Sequence, residues 1–315
     1  DWSRLFFSLF HSISAFCNAG FSTLGNDGLY HPSVRFAYNF QLLIAILIVF
    51  GGIGFGILLN LLQFIKESGL KWYSNVVKHR PYRHKPQIIN LNTKIVVTTT
   101  VLLLLTGTVF YYAFEYNNVL AEHTTAYGKI VQSFFGSVTP RTAGFNTVDI
   151  AQLTIPTLMI YLLLMWIGGS PGSTAGGIKT SVFAVATLNI INAIRGKERL
   201  ETTNREIEIT SVNRVFAIIS LSLIAVGTSI TLIIIKDGHK FDLLKIAFEC
   251  FSALGTVGLS MGITPNLTDF SKLVLVVTMF IGRVGFLTIL IGILKLFIRE
   301  REKRYRYPKE ELFIT

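Results

Sequence analysis

Charge is what this sequence has least of. Only 15% of its 315 residues are Asp, Glu, Lys or Arg, where a soluble chain carries roughly 25%. Half of the residues (51%) are hydrophobic and the mean hydropathy is +0.54. A soluble globular domain is excluded, and a polytopic membrane protein is expected. Cysteine is nearly absent. Cys17 and Cys250 both lie in apolar surroundings, which leaves no disulfide framework and no thiolate metal spacing. The six histidines are scattered, with no H-E-x-x-H or similar arrangement. Paired carboxylates, a nucleophile constellation and a metal cluster are all missing, so the chain does not read as an enzyme. No structural metal is expected. The opening DWSRLFFSLFHS lacks an initiator Met and a signal peptide. The expectation is a chain that begins partway through a longer protein.

Long apolar runs, by contrast, are plentiful. Five reach the length of a spanning helix: Phe36 to Ile65, Ile95 to Phe114, Thr154 to Ile194, Val215 to Ile235 and Leu273 to Leu294. Within them only Lys179 and Arg283 are charged. The third run has 41 residues, too many for one straight span, and is expected to be interrupted. Three shorter apolar stretches, Leu5 to Phe16, Ile130 to Val138 and Leu243 to Leu254, fit half-membrane helices better than spans.

Each short stretch runs into small residues: FCNAGFSTLG, TPRTAGFNTVD and LGTVGLSMG. Gly20, Gly144 and Gly258 fall in register, 124 and 114 residues apart. A second glycine centre follows each inside a spanning run: Gly51-Gly52, Gly168-Gly169 and Gly282. The implied unit is a short helix, a glycine turn, and a spanning helix with glycine at mid-depth. A spanning helix precedes the unit twice and is missing before the first. Repeats of this kind place a substrate site on the axis between them.

The net charge of +11 would suit a nucleic-acid partner, but its distribution points to a membrane surface and no nucleic acid is expected. Lys66 to Lys94 holds seven Lys or Arg, Arg195 to Arg214 five, and Lys295 to Lys309 seven. These segments fall on one side of the alternating topology, which the positive-inside rule makes cytoplasmic. The short helices then enter from outside. Arg195 to Glu208 reads first as a solvated linker with paired charges.

GGSPGSTAGGIKT, Gly168 to Thr180, resembles a phosphate loop but fails the pattern. Ile178 separates Gly177 from Lys179, and the flanks are uncharged apolar runs rather than a strand and helix of a soluble domain. Gly168, Gly169, Gly172, Gly176 and Gly177 remove helical preference, Pro171 removes a backbone donor, and Ser170, Ser173 and Thr174 supply hydroxyls around Ala175. Irregular backbone at this depth is tolerated beside an aqueous path or inside protein. A simple kink would need one breaker, not six.

A short helix ending in a glycine turn aims its C-terminal carbonyls and negative dipole end inward, which suits a cation. Rings of carbonyls replace the hydration shell of potassium in selectivity filters. Thr256-Val257-Gly258 matches the T-V-G filter core of potassium channels, and Asn18-Ala19-Gly20 and Thr142-Ala143-Gly144 keep the glycine and small neighbours. The alternative is that these glycines merely pack helices.

The repeated helix, pore helix and helix, the single glycine per turn, GGSPGSTAGGIKT and IGRVGF together resemble the Trk/Ktr/HKT potassium transporter superfamily, its Ktr branch above all. The resemblance covers essentially the whole chain. It implies an all-α polytopic membrane protein with M1-P-M2 repeats arranged pseudo-fourfold around one pore. Residues 1–66 would be the second repeat without its first helix, 93–195 the third and 212–300 the fourth. Segments 67–92 and 196–211 would be cytoplasmic loops, and 301–315 a cytoplasmic tail. The first repeat would be absent.

By the same resemblance the three turns form the K⁺ filter, and Gly168 to Gly177 plug and gate the pore. An Arg at mid-span is by default a functional residue. Arg283 would face the pore as an electrostatic barrier; the bland alternative is an ion pair with Glu249. Lys179 would act similarly or snorkel to the membrane edge. Arg141 would brace its turn or sit at the outer vestibule. Asp27, Asp149 and Asp269 read as solvated loop charges, with cation attraction the rival. The resemblance also implies a homodimer in membrane lipid, on a KtrA-like cytosolic ring of nucleotide-binding subunits. ATP and ADP would bind that ring, not this chain, and its contact is sought on the basic loops and on Arg299 to Tyr307. Potassium would be the substrate, with sodium a candidate activator. The rival within the fold is a sodium-permeable or sodium-coupled transporter. A phosphate-handling membrane enzyme and a non-conducting scaffold are further alternatives.

Overall fold

The computed structural model describes residues 2–76, 89–196, 201–202 and 205–285. The tail 301–315, residues 77–88 of the expected loop 67–92 and the end of the fifth apolar run lie outside these residues, while 67–76, expected in that loop, are helical. Among the described residues the chain is almost wholly helical; a two-residue hairpin, Glu201–Thr202 with Arg205–Glu206, is the exception.

Helix α1 (Trp2–Phe16) is short and leads into the first glycine turn. Helix α2 (Tyr38–Ile53) ends at Gly54, whose φ of 92° only glycine adopts without strain. Helix α3 (Phe55–Val76) then leaves at 107° to α2. The uninterrupted span expected over Phe36 to Ile65 is therefore two helices. The reason is local: Gly51, Gly52, Gly54 and Gly56 crowd one turn, and Gly54 cannot stay helical at positive φ.

Helix α4 (Leu91–Glu115) precedes the short α5 (Ala126–Val138). Thr125 caps α5 by accepting from the Gly128 amide, and Pro140, which has no amide to donate, follows its C-cap Thr139. Helix α6 (Ile155–Trp166) stops at the glycine-rich break, and α7 (Thr180–Ile194) resumes after it. Helix α8 (Ile209–Asp237) then leads to α9 (Leu243–Gly255) and α10 (Asp269–Val284). Only α4 and α8, at 25 and 29 residues, are individually long and apolar enough to cross a bilayer among the described residues. The α2–α3 pair qualifies if taken together. The interruption expected within Thr154 to Ile194 is present between α6 and α7.

The long helices turn apolar side chains outward. Val101, Leu102, Leu105 and Val109 on α4, and Leu223, Ile224 and Ile235 on α8, are exposed. The short helices α5 and α9 are largely buried, whereas α1 buries only His11, Ser14 and Ala15. One cluster joins α4, α6 and α9 through Tyr111, Leu158, Tyr161, Met165 and Phe248. Another joins α1, α2, α4 and α5 through Ala15, Ile44, Ile48, Leu104 and Phe135. A third joins α8, α9 and α10 through Ile233, Ile246, Cys250 and Leu275. Burial by helices on the outside and the core within is the arrangement a membrane solvent demands.

Two buried carboxylates fasten the ends of the long helices. Glu115, at the end of α4, accepts from the Thr154 amide (2.9 Å), Thr154 Oγ1 (2.8 Å) and Thr157 Oγ1 (2.5 Å) at the start of α6. Asp237, at the end of α8, accepts from the Thr268 amide (3.0 Å), Thr268 Oγ1 (2.8 Å) and Ser271 Oγ (2.6 Å) at the start of α10. Each carboxylate thus sits at a helix N-terminus, where free amides and the dipole favour negative charge.

Candidate functional site: three glycine turns and a broken helix

The three turns share one unusual backbone. Asn18, Thr142 and Thr256 have φ of 51°, 65° and 49°, and are the only non-glycine residues at positive φ among the described residues. Two residues on, Gly20, Gly144 and Gly258 have φ of 73°, 74° and 89°. A non-glycine residue in this region costs about 1–2 kcal/mol, so three at matching positions need a structural cause. Part of it is a hydroxyl clasp. Ser14 Oγ donates to the Phe21 carbonyl (2.8 Å), Thr139 Oγ1 to Phe145 (2.6 Å) and Ser252 Oγ to Leu259 (2.6 Å). Each clasp ties the short helix to the residue after its glycine. The sequence reading passed over these hydroxyls. Their signal was a Ser six residues before Gly20 and Gly258, and a Thr five before Gly144.

The turns also meet. A Cβ on Gly20 would lie 2.6 Å from the Ala143 carbonyl oxygen, and one on Gly144 would lie 2.2 Å from that of Val257. Gly144 and Gly258 are themselves adjacent, since a Cβ on Gly258 would lie 3.9 Å from the Gly144 Cα. Glycine is required by contact as well as by conformation at Gly20 and Gly144, and by conformation alone at Gly258. Asn18 Nδ2, Thr142 Oγ1 and Thr256 Oγ1 are buried and make no hydrogen bond within the protein. Buried polar atoms without partners are rare and call for an explanation.

The broken helix packs against the first and third turns and the Arg141 that precedes the second. Its ends are held together as an isolated parallel bridge, with the Gly168 amide donating to Ile178 O (2.9 Å) and the Ile178 amide to Trp166 O (3.2 Å). Its apex reaches α2: the Ser170 amide donates to Gly52 O (2.9 Å) and the Thr174 amide to Gly51 O (3.5 Å). Thr174 Oγ1 lies 3.3 Å from Asn18 Oδ1. Gly176 abuts Thr256, where a Cβ would fall 2.1 Å from Oγ1. Arg141 Nη2 donates to Gly168 O (3.1 Å) from just before the second turn. Ser173 Oγ closes the loop internally on Ser170 O (2.6 Å).

Arg283 and Glu249 are not paired. Arg283, exposed at the end of α10, donates to the Thr174 carbonyl. Glu249 instead accepts from Ser260 Oγ (2.6 Å), the Met261 amide (3.0 Å) and Thr264 Oγ1 (2.9 Å). The ion-pair alternative is thereby corrected: three local donors satisfy the carboxylate, and α10 carries Arg283 toward the loop. Arg141 is buried against the loop rather than held in an outer vestibule. Lys179 folds back onto Ala175 O (2.6 Å) rather than extending to a membrane edge. Asp149 caps a short 3-10 turn by accepting from the Ala151 amide (3.0 Å), and Asp269 is fully exposed near Lys272. The side chain of Asp27 lies outside the described residues.

Gly51 and Gly282 occupy matching places on α2 and α10. A Cβ on Gly51 would lie 1.9 Å from Phe16 O, and one on Gly282 would lie 1.9 Å from Leu254 O. Phe16 and Leu254 each stand two residues before the left-handed residue of their turn. These two mid-helix glycines therefore let a helix touch the base of a turn.

The family model of the TrkH cation transport proteins matches residues 1–303. The potassium/sodium uptake protein NtpJ of Enterococcus hirae is 34% identical over 99% of this chain and 65% of its own. The Ktr system potassium uptake protein B of Bacillus subtilis is 37% identical over 99% of this chain and 64% of its own. This chain therefore spans about two thirds of the length of these relatives. The crystal structure of the potassium transporter TrkH from Vibrio parahaemolyticus shares the fold, with a TM-score of 0.69 at 20% identity, covering 93% of this chain and 59% of that one. The all-α membrane fold and the match along nearly the whole sequence lead to one conclusion: this chain belongs to the TrkH family of cation transport proteins.

Proposed function

We propose that this chain forms part of a potassium uptake pore in the cell membrane, with the three glycine turns as its selectivity filter. The supporting observation is their convergence in one backbone shape, each with a buried polar atom unpaired at its left-handed residue. Ala19, Ala143 and Val257 lie between left-handed neighbours. That alternation swings successive carbonyls toward a common side, where they can replace the hydration shell of a cation. The turns are then the filters of successive M1-P-M2 repeats in a pseudo-fourfold pore. The repeats take the boundaries 1–66, 93–195 and 212–300.

The broken helix is the gate. Its loop touches the first and third turns and the Arg141 that precedes the second, and Arg283 and Arg141 hold two of its carbonyls. Arg283 adds a positive charge where a cation leaving the filter would pass. Basic segments place the loops and the C-terminus in the cytoplasm. There a homodimer would rest on a nucleotide-binding ring that carries ATP or ADP. The names of the relatives favour potassium, and the potassium/sodium name of one keeps a sodium-permeable pore as the second reading. Sodium as an activator belongs to the same proposal.

The test uses the protein in its complete natural form, in a bacterial strain lacking its own potassium uptake systems. Growth at low potassium, with rubidium uptake well above sodium uptake, is expected for wild type and is lost in Gly144→Ser. Arg283→Ala is expected to raise the rubidium uptake rate by freeing the loop. Equal sodium and rubidium uptake by the wild type would move the reading to the sodium-permeable pore. Unchanged kinetics in Arg283→Ala would remove the gate from that residue.

A further inference from the structure

A second set of contacts lies outside the clasps, on the far limb of each turn. His11 on α1 is buried, and its Nδ1 lies 2.8 Å from the Phe7 carbonyl. A carbonyl can only accept, so Nδ1 carries the proton and Nε2 is the acceptor. Ser22 Oγ therefore donates to His11 Nε2 at 2.9 Å. On α9, Ser260 Oγ donates to Glu249 Oε1 at 2.6 Å. His11 and Glu249 stand nine residues before Gly20 and Gly258, and Ser22 and Ser260 two after. Both serines then accept the amide two residues on, Leu24 N at 3.1 Å and Gly262 N at 2.9 Å. The middle turn has a comparable link from other positions, twelve residues before Gly144 and three after it, with its polarity reversed. Buried Gln132 Nε2 on α5 donates to Thr147 Oγ1 at 2.5 Å.

We infer that His11, Gln132 and Glu249 are positioning residues for cation selection, each fixing the outer limb of its turn through the hydroxyl of Ser22, Thr147 or Ser260. The inference rests on the filter reading above. The clasps through Ser14, Thr139 and Ser252 fix the residue directly after each glycine. The outer links fix the second or third residue after it. With both in place the chain leaving each glycine is held at two points, which stiffens the turn against contracting around a smaller ion. The links are unequal. Glu249 is a carboxylate with three donors, whereas Gln132 leaves its own Oε1 buried and unpaired. Charge-assisted bonds are the stronger kind, so the third turn is the stiffest and the second the softest.

The experiment compares the rubidium-to-sodium uptake ratio at matched membrane levels, in the complete protein and the same strain. Glu249→Ala is expected to lower the ratio about tenfold, the response to losing ~1.4 kcal/mol of preference. Glu249→Gln, which keeps an acceptor for the Met261 amide, restores most of it. Ser22→Ala and Ser260→Ala remove one oxygen each and lower the ratio by less. They keep the test decisive if Glu249→Ala fails to reach the membrane. An unchanged ratio in the serine variants, or a fall in both ions together, would overturn the inference while leaving the filter reading intact. A wild type that takes up no rubidium would instead remove the filter reading, and this inference with it.

Discussion

The segment α4–α7 and the segment α8–α10 solve the same problem with different residues. Both begin with a long helix that ends in a buried carboxylate, Glu115 or Asp237, bonded to the hydroxyls at the start of a later helix. Both place a short helix and a left-handed turn between. They part at the next glycine. In α10 the helix runs through Gly282, which merely admits the Leu254 carbonyl. In the other segment α6 stops, and a loop emerges where Gly168 stands. Gly282 gives a contact within the helix, which ends two residues on at Val284, before a Gly285 with the φ of 92° that also ends α2 at Gly54. Six breakers in ten residues give a loop, because no register restores the missing hydrogen bonds. The turns differ too. The clasping hydroxyl stands four residues before the left-handed residue in the first and third turns and three before it in the second, at Thr139 beside Pro140.

The sharpest way to break this comparison is a methyl group on each turn. Gly144→Ala drives a Cβ into the Val257 carbonyl and Gly20→Ala into that of Ala143, whereas Gly258→Ala meets only Gly144 Cα at 3.9 Å. All three bear the left-handed strain of about 1–3 kcal/mol; the first two add overlap. Loss of folded protein in detergent should therefore be severe for Gly144→Ala, somewhat less for Gly20→Ala and mildest for Gly258→Ala. Equal losses would mean that conformation alone decides.

The carboxylates give the next largest effect. Asp237→Ala and Glu115→Ala each strand several buried donors, at about 1–3 kcal/mol per group. A fall of several degrees in the thermal midpoint is expected for both. Asp237→Asn and Glu115→Gln should fall less, because an amide oxygen still accepts. If only one segment responds, the two ends are not equivalent.

The smallest effect separates the segments by pH. His123, after α4, is buried beside Phe36 and Tyr38, whose hydroxyl lies 3.1 Å from Nδ1. Burial, then Arg35 and Lys129, push its pKa below the ordinary histidine value; Glu122 pairs with Arg35 nearby. Below pH 6.5 the unfolded chain takes up a proton that the folded chain resists. Stability should therefore decline as pH falls from 6.5 through the lowered folded pKa. His123→Phe should flatten that part of the stability profile. A profile unchanged by the substitution would place the acid sensitivity elsewhere.

Much of this was legible in the sequence, for identifiable reasons. The long apolar runs and the break between α6 and α7 follow from hydropathy and from breakers too dense to ignore. The three turns were found because each short apolar stretch stops at a glycine. The bend at Gly54 was not found: its neighbours are apolar, and hydropathy does not register backbone angle. The clasps and the carboxylate fastenings were missed because Ser, Thr, Glu and Asp at helix ends are commonplace, and only folding shows what they touch. The ion pair of Arg283 with Glu249 failed for a related reason. Opposite charges in an apolar setting invite pairing, but Glu249 finds closer donors 11 to 15 residues along the chain.

The bend between α2 and α3 has a consequence for how the loop could ever move. A helix that stops leaves its last four carbonyls without amides. Two of those on α2, Gly51 O and Gly52 O, are taken by the amides of Thr174 and Ser170, while the Phe55 amide beyond the bend returns a bond to Gly172 O. Two interrupted helices are thus knitted together, each supplying what the other's interruption left open. Straightening α2 would strand the amides of the loop. Withdrawing the loop would strand the carbonyls of α2 unless water followed it in, so under the proposed gating reading motion here and wetting of the passage would be a single event.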